Sequence, residues 1–320
     1  RAGGGYGRVA LTWDRLSIAP GVRVDRWLAT SSTAVSPWVI ATLRVTSSTD
    51  ITAGISRQTQ FADLDQIFGL QAGGPGLRPE RARHVDVALV QRLPHALSLE
   101  LSAFDRRETG LLATPEAEPR RIGDVVMLGR GDDRWRNVRS GEARGIEALL
   151  RRDSAAGLSG WIGYAFGDHT QADAGGPAFA ADFDQRHAVS AFARYPLSNR
   201  MAIGAKVRYG TNYPLTGFIA PQAAMPNQRP LLGGGVPLFY TLTDARNTQR
   251  LPSYFRVDLR LDRTFTWGSR RATLFAEVAN ATDRANMRNT PYSVDRLGRV
   301  FDPMGTLLPI IPSAGLLIEF

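Results

Sequence analysis

Asp182, Asp184 and His187 are of the residue types that ligate metals, and they stand close together in the chain. Two carboxylates and an imidazole suit a divalent cation, but a helical zinc site places two histidines four residues apart. The chain has only four histidines, His84, His95, His169 and His187, and none has that spacing. The short motif sits at a loop-to-strand junction, where a structural role is the expectation. Serines, histidines and acids form no recognisable nucleophilic set. Cysteine is absent, so there is neither a disulfide framework nor a thiolate metal site. Asn280-Ala281-Thr282 fits a glycosylation sequon and is expected to cap a strand instead. These residues predict no enzyme, no cofactor and no resident metal.

A second set of charged groups lies at alternate positions. Residues 254 to 267 read YFRVDLRLDRTFTW, in which Phe255, Val257, Leu259, Leu261, Phe265 and Trp267 alternate with Arg256, Asp258, Arg260, Asp262, Thr264 and Thr266, with one exception at Arg263. A strand sends successive side chains to opposite faces, so one face is greasy and the other charged. In a soluble sandwich the greasy face is core; in a membrane barrel it meets lipid and the charged face lines an aqueous lumen. The same device places Lys206 and Arg208 opposite Val207 and Tyr209, and Arg23 and Asp25 opposite Val22 and Val24. Arg44, Glu147, Arg186, Asp262 and Glu277 join the inward set. Most of these charges are expected to bond across strands. Arg23, Asp25, Lys206, Arg208, Arg256, Asp258 and Arg260 are the lumen and ligand candidates. Tyr213, Phe218 and Tyr240, with Phe239, offer an aromatic surface in or beside the long segment 214 to 253.

The elements that would position these groups are strands. Further period-two segments lie near 9–14, 39–46, 50–60, 81–93, 96–109, 139–153, 157–171, 184–196, 271–283 and 313–320, for about 13 strands and no convincing helix. Their connections alternate in length. TSSTD (46–50), RLPHAL (92–97), DSAAG (153–157), PLSNR (196–200) and TWGSR (266–270) are short turns; 61–80, 110–138, 168–184, 214–253 and 284–312 are long and rich in Gly, Pro and polar residues. Outer-membrane barrels have this asymmetry, with short periplasmic turns and long extracellular loops. Of the 320 residues 43% are hydrophobic and 22% charged, too apolar for a disordered chain and too polar for a bundle of membrane helices. No apolar run approaches the roughly 18 residues of a spanning helix. The net charge of +9 is almost wholly arginine, Lys206 being the only lysine. The arginines are spread along the chain, so nucleic acid is not an expected partner; solvated loop charge is the first reading of the excess, and attraction to anions, whether lipid phosphates or an anionic ligand in a cleft, is the functional one.

Several stretches together carry a family likeness: LSIAPGVRVDRW (16–27), LRPERARHVDVALVQRL (77–93), RGIEALLRRD (144–153), LSGWIGYAF (158–166), the long run 182–218, YFRVDLRLDRTF (254–265) and LFAEVANATDRAN (274–286). In order and spacing the chain resembles the C-terminal part of a TonB-dependent receptor over essentially all of its length. The resemblance implies an all-β, transmembrane, antiparallel up-and-down barrel of about 22 strands around a plugged lumen, of which residues 1–320 would supply the last 13 or so. It places the protein in the bacterial outer membrane, among outer-membrane lipid and lipopolysaccharide. The plug domain, the N-terminal strands and the segment that contacts TonB are expected upstream. The implied activity is TonB-energised uptake of a small-molecule ligand, a metal chelate such as a ferric siderophore. In such proteins a terminal strand like Leu316, Ile318 and Phe320 resembles the signal read by the assembly machinery. A passive porin-like channel and a soluble β-rich binding protein are the alternatives.

Overall fold

The computed structural model describes residues 2–154, 157–223, 238–268 and 270–319. Thirteen antiparallel strands follow one another in strict chain order across one sheet. They are β1 (Ala2–Arg8), β2 (Leu16–Trp27), β3 (Ser32–Arg44), β4 (Thr49–Gln60), β5 (Glu80–Leu93), β6 (Leu97–Ala113) and β7 (Arg136–Arg152). Then come β8 (Ser159–Asp173), β9 (His187–Ser198), β10 (Met201–Gly210), β11 (Tyr254–Trp267), β12 (Arg270–Ala279) and β13 (Ile311–Glu319). Each interior strand pairs with its predecessor and its successor; β1 and β13 are edges that do not pair with each other among the described residues.

Register follows the alternation of the sequence. Lys206 stands opposite Asp258 and Val207 opposite Val257, while Leu261 meets Ala276 and Arg260 meets Glu277. A slip of one residue would turn each strand's apolar set onto the polar side, so this register is tightly specified. The apolar side holds Val22, Val24, Val35, Ile55, Val87, Leu101, Ile146, Ile162, Ile203, Leu259, Leu261, Leu274, Leu316 and Ile318, all exposed. Among the described residues no second layer covers them. A continuous apolar band of this kind is unfavourable in water and is the surface that lipid satisfies. On the polar side large side chains lie flat across small residues of the next strand. A Cβ on Gly145 would come within 2.8 Å of the Phe104 ring, and Trp38 lies over Gly21 in the same manner.

The connections sort by end as the sequence predicts: those between β3 and β4, β5 and β6, β7 and β8, β9 and β10, and β11 and β12 are short, and the long segments lie at the other end. One connection at the long end, 28–31, is short. Three details differ from the sequence reading. The first strand begins at Ala2, and Leu11–Trp13 is a separate short piece that pairs back onto Leu16–Ile18, with Asp14 at φ 34° in the turn. One turn of helix, Leu64–Phe68, interrupts the 61–79 segment; Gln66 Oε1 accepts the Asp63 N–H at 2.8 Å, and Ile67 packs with Ala62, Leu77 and Leu112. The long segments also carry structure of their own. Ile219–Ala223, Leu238–Leu242, Arg299–Phe301 and Ser293–Val294 form a small sheet, and Leu215, Ile219, Leu242, Leu251 and Val300 make a buried core with Val126, Met287, Tyr292 and Met304. The loops thus pack into a cap at one end of the strands. No helix is long and apolar enough to cross a membrane, which says nothing about strands.

Candidate functional site

Most charged positions of β11 and β12 lie on the polar side and are largely neutralised by one another. Arg256 Nε donates to Asp258 at 2.6 Å, Arg260 Nε to Asp262 at 2.8 Å and Arg260 Nη1 to Glu277 at 3.2 Å. The Arg260 guanidinium also lies 4.1 Å from the centroid of Phe275. Arg23 and Asp25 are joined by two bonds of 2.6 and 2.8 Å; they sit on β2, eight strands from β10, and are not brought to the same place. Pairs two residues apart on one strand share a face, so their geometry is set by the pleat alone.

A cavity of about 490 Å³ opens where β9 and β10 meet the segments 211–253 and 280–310, lined among others by Arg208, Tyr213, Tyr254, Arg288 and Asn289. Arg208 faces Arg256 across the strand pair. Neither Arg208 nor Arg288 makes a side-chain hydrogen bond or ion pair among the described residues. The one acid of the rim, Asp182, is bonded to Arg246 and Asn247. This pocket therefore presents two uncompensated guanidinium groups beside two phenol rings, an arrangement suited to a planar or aromatic anion. Of the sequence candidates the structure brings Arg208 and Tyr213 here. Lys206 lies two residues deeper on the same face without an ion pair among the described residues. Phe218 is covered by Arg120, 5.9 Å from its ring. Tyr240 packs into the loop core, its hydroxyl donating to Met304 Sδ at 3.6 Å, and burial pushes that hydroxyl's pKa up. Leu316 and Ile318 are exposed on the apolar side; Phe320 lies outside the described residues.

A second cavity, about 670 Å³, was not singled out from the sequence. It is lined by His84, Asp86, Glu100, Phe104, Glu147 and His169 among others. His84 and His169 flank the Phe104 ring at 6.1 and 6.4 Å. Room for it comes from Ala143, Gly145, Ala165 and Gly167, which place almost no side chain on this side. The available signal was HVDVAL at 84–89, in which Val85, Val87 and Leu89 alternate with His84, Asp86 and Ala88.

The Asp182–His187 motif is structural. Asp184 is fully buried and accepts from Arg250, from Arg186 at 3.3 Å and from the His169 N–H at 3.0 Å. Burial works against its charge, yet Arg250, the His169 N–H and Arg186 outweigh it and hold the carboxyl below its ordinary pKa. His187 shares a 2.9 Å hydrogen bond with the Tyr164 hydroxyl. The cap's hub is Arg246, which the sequence did not mark. It ion-pairs with Glu118 at 2.8 Å and Asp182 at 3.2 Å and lies over Phe179 at 4.8 Å. Burial raises the pKa of Glu118 against the pull of Arg246. Burial and the Glu118 charge push the Tyr292 hydroxyl up to about 12.

A meander with one face bare and apolar, the other polar, and its long connections gathered into a cap at one end is the wall of a membrane β-barrel. The chain belongs more narrowly to the family described as TonB dependent receptor-like, beta-barrel, whose model matches residues 1–281. That family consists of receptors and transporters of the bacterial outer membrane. Among curated proteins none matches the chain in sequence. Among solved structures the outer membrane transporter YddB from Escherichia coli superposes with a TM-score of 0.67 at 13% identity, over 99% of this chain and 45% of that one. The copper transporter OprC gives 0.66 at 14%, over 98% and 46%. The ferripyoverdine receptor of Pseudomonas aeruginosa gives 0.61 at 14%, over 99% and 38%. These likenesses concern the fold, and the chain spans less than half the length of each of these proteins.

Proposed function

We propose that residues 1–320 form the C-terminal part of the barrel of an outer-membrane receptor, and that the whole protein imports an anionic metal chelate of the ferric siderophore class with energy delivered through TonB. The plug, the first strands and the TonB-contacting segment would belong to the same protein upstream, and those strands would pair with the free edges of β1 and β13. The observation that carries the ligand class is the cavity at the mouth, where Arg208 and Arg288 stand unpaired beside Tyr213 and Tyr254. An iron chelate bearing carboxylate or catecholate oxygens offers the negative charge and flat surface that this pocket lacks. Solved relatives in fold include a ferric-catecholate import receptor from Escherichia coli and the ferripyoverdine receptor. The exposed apolar band speaks against a soluble binding protein.

The test is binding of ferric catecholate and ferric hydroxamate chelates to the full-length receptor in detergent, by quenching of tryptophan fluorescence. Replacing Arg208 and Arg288 by Gln is expected to weaken binding by about 10-fold or more per residue, the range of charge-assisted hydrogen bonds. Unchanged affinity in the double variant, or absence of binding to every chelate tried, would refute this ligand class. Steady ion conductance in planar bilayers would favour the passive channel instead.

A further inference from the structure

The apolar side of the wall is interrupted, toward the cap, by a row of arginines. Arg57 on β4 stands directly opposite Arg83 on β5, and Arg83 directly opposite Arg107 on β6. Arg81 shares the face, two residues nearer the long connection. All four are exposed. Like charges directly opposite in a sheet repel, and adjacent strands lie only about 4.8 Å apart. Protein groups do little to relieve this. Arg57, Arg81 and Arg83 make no side-chain hydrogen bond or ion pair among the described residues. Arg107 meets Asp105 loosely, at 3.7 Å, and Glu142, which faces Arg107 from β7, forms no ion pair with it. By contrast Arg144, further round the same face, is held by Asp168 at 3.3 Å.

A groove of about 480 Å³ runs along the row, lined by Val35, Arg57, Thr59, Arg81, Arg83 and Arg107 among others. The threonine adds a hydroxyl to the guanidinium donors. On the far side from the cap the next row on this face is Ile55, Val85 and Asp105, and the apolar band then continues with Val87 and Leu101; Ile55, Val87 and Leu101 are 43%, 47% and 44% exposed. The row thus marks the line where the apolar band stops and the polar end begins, on the long-connection side. A ligand that matches both halves has phosphates at one end and hydrocarbon chains at the other.

We propose that Arg57, Arg83 and Arg107, with Arg81, form a docking site on the outside of the barrel for the phosphorylated headgroup of an outer-leaflet glycolipid, its acyl chains lying along Ile55, Val87 and Leu101. Planar guanidinium groups engage phosphate oxygens two at a time, and one phosphate seated between neighbouring arginines turns a repulsive row into an attractive one. The site is distinct from the mouth cavity, since it lies on the opposite face of the sheet. It rests on the outer-membrane placement proposed above.

The experiment is native mass spectrometry of the full-length receptor, purified in detergent from the outer-membrane fraction and titrated with bisphosphorylated lipid A, its dephosphorylated form and inorganic phosphate. The wild-type protein should retain bisphosphorylated lipid A. Arg57→Gln with Arg83→Gln should weaken it on the order of 25-fold, about fivefold per arginine, and the single change Arg81→Gln about fivefold or less. Arg263→Gln, on the same face near a short turn, should leave it unchanged. Heat-modifiable gel migration confirms that each variant is a folded barrel; loss of the row removes repulsion, so folding should persist. Equal retention by wild type and double variant, equal retention of the dephosphorylated lipid, full displacement by millimolar inorganic phosphate, or the same loss in Arg263→Gln would each overturn the site. Absence of the receptor from the outer-membrane fraction would overturn the placement itself, which distinguishes the two failures.

Discussion

Replacing Arg246 by Met should release the loop cap while leaving the strands beneath it intact. The Arg246 side chain is 5% exposed and its guanidinium serves Glu118, 27% exposed, and Asp182, 40% exposed. Breaking a fully buried ion pair costs about 3–5 kcal/mol and an exposed one at most about 1 kcal/mol. The exposures of the two acids place this case between, at roughly 2 kcal/mol. Loss of the charge over Phe179 adds about 1 kcal/mol. A total near 3 kcal/mol corresponds to an opening equilibrium on the order of 100-fold more favourable. The direct readout is amide hydrogen exchange. Peptides covering 114–119, 178–184 and 240–252 should exchange on the order of 100-fold faster in the variant, in keeping with local opening of a cooperative unit. Peptides within β10 and β11 should keep their wild-type protection. Arg246→Lys, which retains charge but not the planar fork, should fall between. If exchange in the cap were unchanged, Arg246 would not be its hub. If β10 and β11 loosened equally, the cap would not be an independent unit.

Two further perturbations probe the same molecule elsewhere. Asp184 is held below its ordinary pKa in the folded state, so its contribution is fully present above the unfolded value near 3.9 and is lost as pH falls through the folded value. Proteolysis in the segment 174–186 should therefore rise only below about pH 4, and Asp184→Asn should be susceptible already at neutral pH; an acid-insensitive wild type would contradict this. Leu261→Arg puts a charge into the apolar band and should destabilise the barrel by about 2–4 kcal/mol if it sits near mid-bilayer. Urea unfolding of the full-length protein in lipid vesicles measures it, and a change below about 0.5 kcal/mol would mean that this face does not meet hydrocarbon.

Strand number, order and the short turns were legible because period-two alternation is a local property, and Leu259–Arg260–Leu261–Asp262 declares both faces by itself. The placement of Arg208 on the polar side follows from the same rule, whereas Tyr213, beyond the end of β10, was marked only as part of an aromatic loop surface. What the sequence hid depends on distance. Arg246 joins Glu118 to Asp182, groups 128 and 64 residues away in the chain, and nothing near it marks it as a hub. Tyr240 looked available because it stands in a long connecting segment; the partner that covers it, Met304, is 64 residues on. His84 and His169 were judged by helical ligand spacing, whereas in a sheet the relevant neighbours are cross-strand. The arginine row escaped for that reason too, since Arg57, Arg83 and Arg107 become adjacent only once three strands are in register.

The ion pairs formed within single strands have a bearing on how such a wall is built. Arg23 with Asp25, Arg106 with Glu108, Arg256 with Asp258 and Arg260 with Asp262 are each two residues apart. Their charges cancel as soon as a segment becomes extended, before any neighbouring strand arrives. A strand entering a growing sheet therefore brings its own counter-ions, and the order in which hairpins join need not be dictated by charge. Arg57 and Arg83 bring none and Arg107 only the loosely held Asp105, so each strand added at that place raises a repulsion that the proposed phosphate headgroup would relieve.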